Sequence, residues 1–78
     1  MSGIGSEPTR DPIYEIRLKG QLDPRWFHRF DGMQITYLAS GETLLTGPVI
    51  DQSALFGMLD QIQRIGIPLL TVRRLPDV

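Results

Sequence analysis

Thr43–Leu75, TLLTGPVIDQSALFGMLDQIQRIGIPLLTVRRL, holds two β-type runs separated by one amphipathic repeat, and this order decides the fold. At about 100° per residue, Ala54, Leu55, Met58, Leu59, Ile62 and Ile65 fall within an arc of roughly 140°, the apolar stripe of a helix that lies on a sheet. Asp51 is placed to cap that helix, although the residue three further on is Ala54, so no capping box completes the start. Gly66 stands where a left-handed C-cap is wanted, and Pro68 prevents the helix from continuing. Asp60 and Arg64 form an (i, i+4) pair away from the stripe. Phe56 falls beyond the stripe's edge, near Asp60 and Gln63, so it should be partly exposed in a monomer. In the closing run, Leu69 to Leu75, simple alternation puts Leu70 and Val72 on one face and Leu69, Thr71 and Arg73 on the other.

Working outward toward the N-terminus, Met33–Ala39 alternates as a strand and Ser40-Gly41-Glu42 forms a short connection, so this run and Thr43–Val49 should make an antiparallel hairpin ending near Gly47-Pro48. Before it, LDPRWFHRFDG (22–32) offers Asp23 as an N-cap, Pro24 at the first helical position and Gly32 as a stop. An α-helical spacing there puts Trp26 and Phe30 on one face with Phe27 beside them, and turns Arg25, His28 and Arg29 outward. Ile13–Lys19 alternates Tyr14, Ile16 and Leu18 against Glu15, Arg17 and Lys19, as a half-buried strand does. Residues 1–12, MSGIGSEPTRDP, carry too little apolar area to offset their ordering entropy and are expected to be a flexible tail.

These elements predict an α+β chain: one domain over 13–78 with a ferredoxin-like βαββαβ order, a four-stranded antiparallel sheet and both helices on one face, the first helix being short. A strand meander carrying one helix is the fallback, because the first crossover is near the minimum length. The uncovered sheet face should collect Glu15, Arg17, Lys19, Gln34, Thr36, Leu38, Leu69, Thr71 and Arg73. Such a face can be solvated, can meet its own copy, or can line a shallow ligand site.

With 78 residues, no Cys and a single His, the chain lacks the disulfides and metal clips that usually secure small domains. Its burial margin is narrow, which favours a homodimer. Eight basic against nine acidic residues give a formal charge of −1, not the basic excess of a nucleic-acid binder. No apolar run can cross a bilayer and no secretory leader is visible, so a soluble cytoplasmic protein is expected.

Catalytic vocabulary is sparse. His28 would need an orienting carboxylate from Asp23 or Asp31 to act as a base. The serines have no nucleophile-elbow context, no second His exists to pair on a metal, and no glycine-rich loop resembles a phosphate cradle. No catalytic residue, metal site or cofactor is therefore assigned. Arg25-Trp26-Phe27-His28-Arg29-Phe30 alternates cations with aromatics, as single-strand binders do, but Trp26 and Phe30 at helical spacing fit a core equally.

The blocks YEIRLKGQLDPRW, GMQITY, GETLLTGPVIDQSALFGMLDQI and GIPLLTVRR resemble a family of short, uncharacterised bacterial and archaeal proteins over Tyr14–Arg74. Its most specific features are LDPRW, LTGPV-x-DQ-x-AL-x-G-x-L and G-x-PLL-x-V. The resemblance implies one intact domain and carries no established activity. The expectation is a non-enzymatic, self-associating protein–protein interaction module, with Arg17, Trp26, His28, Arg29, Phe56, Leu69, Thr71 and Arg73 as partner- or ligand-binding candidates. The alternatives are a small-molecule-sensing domain resembling the ACT regulators, with the ligand between two copies or in a groove near Trp26, Arg17 and Arg73, and a small dimeric α+β barrel enzyme using His28 and a carboxylate at the barrel mouth.

Overall fold

The structure, a computed structural model, describes residues 11–76. Most of the expected tail therefore lies outside the described residues. Of its last two residues, Pro12 offers its carbonyl to the Val49 N–H at 2.9 Å.

The elements in chain order are β1 (Ile13–Leu18), a 3-10 helix (Pro24–Phe30), β2 (Gln34–Tyr37), β3 (Thr43–Pro48), α1 (Gln52–Ile65) and β4 (Leu69–Arg74). They form an α+β fold in which one sheet has the strand order β2-β3-β1-β4, with every neighbouring pair antiparallel. Antiparallel neighbours on both sides make β1 and β2 parallel with β3 between them, and make β3 and β4 parallel with β1 between them. Each helical segment therefore crosses over an intervening strand.

Alternation assigns the two sheet faces. Ile16 and Leu18 of β1 and Leu45 of β3 are fully buried and join Leu22, Phe30, Met33 and Ile62 in one core, against which Ile35, Leu55, Met58, Leu59 and Val72 pack. Both helical segments contribute to this cluster, so both cover the same face. Sequence pattern and structure agree closely on α1. Asp51 Oδ1 accepts from the Ala54 N–H at 2.8 Å, and Gly66 closes the helix with φ 94°, its N–H donating to Ile62 O at 3.1 Å. A positive φ of this kind is what glycine tolerates and other residues resist.

The first crossover differs from an α-helix. Asp23 caps it as expected, accepting from the Arg25 N–H at 3.0 Å, but its seven residues wind as a 3-10 helix. A 3-10 turn rises about 2.0 Å per residue against about 1.5 Å for an α-helix, so a short segment reaches farther across the sheet. Its residues align at i and i+3. Phe27 thus shares a column with Phe30, which is buried, and Trp26 shares one with Arg29. The expected α-type pairing of Trp26 with Phe30 is replaced by these two columns.

Two contacts seat this crossover. Thr43, the buried polar residue of the described chain, accepts from the Leu22 N–H at 3.0 Å and donates to Gly20 O at 2.7 Å, while the Tyr37 hydroxyl donates to Leu22 O. At the other end of β3, a Cβ built on Gly47 would stand 2.7 Å from Gly32 O and 2.8 Å from Met33 Sδ. The segment leaving the 3-10 helix therefore lies directly against the Gly47 backbone.

Thr43→Val should lower stability by about 2–4 kcal/mol in urea denaturation, because it strands a buried N–H and a carbonyl together, whereas Thr43→Ser should cost about 1 kcal/mol. Gly47→Ala should lower stability by about 1–3 kcal/mol through overpacking against backbone that cannot yield cheaply, seen as a fall in thermal midpoint of about 4–8 °C per kcal/mol.

Candidate functional site

Three surfaces carry the candidate residues, and the register of the sheet decides which residues share one. On the uncovered face, the pairings align Gln34, Thr46, Glu15 and Arg73 in one row across the four strands and Thr36, Leu44, Arg17 and Thr71 in the next. Arg73 Nε donates to Glu15 Oε1 at 2.9 Å, and Arg17 Nη1 donates to Glu42 Oε1 at 3.2 Å. Arg17, Thr71 and Arg73 are thus brought together as expected, with each arginine already engaged by a carboxylate of the same chain.

Trp26 is not among them. It packs against the core on the helix-covered side, whereas strand alternation sends Arg17 to the other side from Ile16 and Leu18. A groove bounded by Trp26, Arg17 and Arg73 is consequently not formed. The guanidinium carbons of Arg25 and Arg29 each lie 5.1 Å from the centre of the Trp26 ring. Arg29 also donates to Gln61 Oε1 at 2.7 Å, which ties the 3-10 helix to α1. These intramolecular cation–π contacts occupy the ring that a nucleobase would need, at a gain of about 0.5–1 kcal/mol each. His28 is exposed on the same 3-10 helix.

The third surface is only half legible in the sequence. Between β1 and β4 the pairing passes from Arg17↔Thr71 to Leu18↔Leu69, so β4 has one residue more than its partner. This is a β-bulge at Leu70. Simple alternation places Leu69 on the open face with Thr71 and Arg73. The extra residue instead sets Leu69 opposite core-facing Leu18, and it lines a cleft on the helix side. That cleft, about 420 Å³, lies between the C-terminal half of α1 and the turn into β4, bounded by Leu59, Ile62, Gly66, Ile67, Pro68 and Leu69, with Gln63 supplying a polar side chain. Periodicity carries no mark of a bulge, which is why it leaves Leu69 on the open face.

Phe56 is 56% exposed, in line with its position on the helical wheel, and Leu69 and Leu70 are 45% and 42% exposed. On the far side of Phe56, Arg64 Nε donates to Asp60 Oδ2 at 2.8 Å. That hydrogen bond and the carboxylate's charge raise the Arg64 pKa further above its ordinary value, against a small opposing effect of desolvation. Among the described residues, no three of His, Cys, Asp and Glu come together as metal ligands, and no helix is long and apolar enough to cross a membrane.

A family model described as a domain of unknown function (DUF8691) matches residues 13–73, which takes in every strand, the 3-10 helix and α1 apart from the last residue of β4. The chain belongs to the DUF8691 family. Comparison with curated proteins gave no match, and neither did comparison with solved structures. All the candidate residues of this DUF8691 domain lie within the matched segment.

The Glu15–Arg73 pair gives a direct measure of how firmly the open face is built. With Arg73 66% exposed, a double-mutant cycle on Glu15→Gln and Arg73→Gln should return a coupling of about 0.2–1 kcal/mol that shrinks in high salt.

Proposed function

We propose that this chain is a self-associating interaction module, a cytoplasmic protein whose folded unit is completed by a second copy, and that it acts through protein contacts without chemistry of its own. The observation that carries this is the incomplete cover of α1. Of its fourteen residues only Ile62 is buried, while its other inward side chains, Leu55, Met58, Leu59 and Ile65, remain part-exposed. Beside them Phe56, Leu69 and Leu70 are exposed. An apolar surface of this kind on so small a domain favours association, since each large apolar side chain taken from water contributes about 1.5–3 kcal/mol.

The strand order also supports a ferredoxin-like path. Two parallel pairs, each with an antiparallel strand between them, are the arrangement of a split βαβ unit repeated once. Such domains commonly pair about a two-fold axis, which is an analogy of fold and not of function.

A small-molecule-sensing role is the second reading, favoured by the cleft beside α1, whose 420 Å³ is within the usual range for a ligand pocket. Ligand pockets generally add several convergent polar groups that fix orientation. Here Gln63 is the one polar side chain on the lining, so an apolar side chain of a protein is the better fit.

Sedimentation equilibrium from low to high micromolar concentration tests the proposal. A dimer whose population follows mass action is expected, with a thermal midpoint that rises with protein concentration. A strict monomer throughout that range would remove the proposal.

A further inference from the structure

We infer that the self-contact is isologous and built on α1, with Phe56 of each copy seated in the cleft at the C-terminal end of the other copy's α1. This rests on the self-association proposed above and assigns its surface.

The wheel of α1 places the knob and the cleft on one continuous flank. At about 100° per residue, Gln63, Leu59 and Gly66 lie about 20°, 60° and 80° from Phe56 in one direction. These three line the cleft. Asp60 and Arg64 lie about 40° and 80° from Phe56 in the other direction. A two-fold axis normal to the plane of two antiparallel helices sets like flanks against each other, so the cleft flank meets the second copy's cleft flank and the charged flank meets its charged flank.

Charge then selects the register. If the axis passes at the level of Asp60, two carboxylates oppose each other. If it passes at the level of Ile62, Asp60 comes level with the second copy's Arg64, and Arg64 with its Asp60, giving two complementary pairs. In that same register Phe56 lies about 9 Å along the helix from the axis, which takes it just past the C-terminal end of the second copy's α1, closed there by Gly66. Ile67, Pro68 and Leu69, just beyond the helix end, line the cleft. One shift of the helices therefore satisfies both the charges and the ring. Trp26, which two guanidinium groups cover, offers no such self-complementarity.

The test uses the full chain in sedimentation equilibrium, with circular dichroism to verify folding. Phe56→Ala should weaken the dimer by about thirty-fold or more, the size expected of an aromatic anchor seated at an interface. Asp60→Arg alone sets two guanidinium groups against each other across the interface, and Arg64→Asp alone sets two carboxylates together, so each variant should dimerise several-fold more weakly than the parent. Mixed in equal amounts, the two variants should form a heterodimer in preference to either homodimer, although the ion pair within each chain is broken in both. A role confined to helix stability could not produce that preference. A parent chain that dimerises while remaining indifferent to Phe56→Ala, with no heterodimer on mixing, would overturn this interface and leave self-association standing, opening the cleft to a ligand or to another protein. A monomeric parent would overturn both.

Discussion

The buried hydroxyl of Thr43 is the constraint on which the rest of the structure depends. It satisfies a donor and an acceptor of the loop leaving β1, at Leu22 and Gly20, from a residue at the start of β3. Loop backbone inside a protein must find such partners, because an unpaired amide or carbonyl away from water costs about 1–3 kcal/mol. Tyr37 adds a third hydrogen bond to the same loop from the neighbouring strand. The hairpin thus recognises the first crossover through its backbone as well as through the apolar contact of Leu22, and this is how seven residues of 3-10 helix can be held where a longer α-helix would otherwise be needed. Gly47 sets the opposite boundary, where backbone meets backbone without a side chain between.

From that seat the sheet divides into two unlike faces. One collects Ile16, Leu18 and Leu45 and is roofed by the 3-10 helix and α1. The other is laced by ion pairs between Glu15 and Arg73 and between Arg17 and Glu42, which are exposed enough that water and salt compete for them. The roofed side is unevenly finished. Under the 3-10 helix, Leu22, Phe30 and Met33 are buried, whereas under α1 the burial thins to Ile62. The asymmetry locates the part of the domain that gains most from additional cover.

Much of this is legible in the chain itself, for definite physical reasons. The stripe on α1, its Asp51 cap and its Gly66 terminus are local features, each encoded within a few residues, and so are the alternations of β1 and β3. The cross-strand partners follow once the strand order is set. What escapes is encoded at longer range or in a different period. The seven residues from Pro24 follow a three-residue repeat, so Trp26 pairs with Arg29 where a 3.6-residue repeat would give it Phe30. Leu69 changes faces because an extra residue enters β4, and nothing in LLTVRR distinguishes a bulged strand from a regular one. Leu69 joins the cleft through that shift, so a surface assigned by alternation alone can include Phe56 but not Leu69 in the hollow beside it.

The bulge has a further consequence for how copies of this chain can meet. β4 is an edge strand, and an unbroken edge with two adjacent leucines is a template on which strands of other copies can add without limit. By doubling a residue at Leu69-Leu70, the chain breaks the regular pairing of β4 and sets the Leu69 side chain on the helix side, while Arg73 and Arg74 place charge on the remainder. Growth by strand addition is thereby discouraged at the apolar end of the sheet. Any contact between copies is then left to side chains, and the two-fold arrangement proposed above closes on itself and stops.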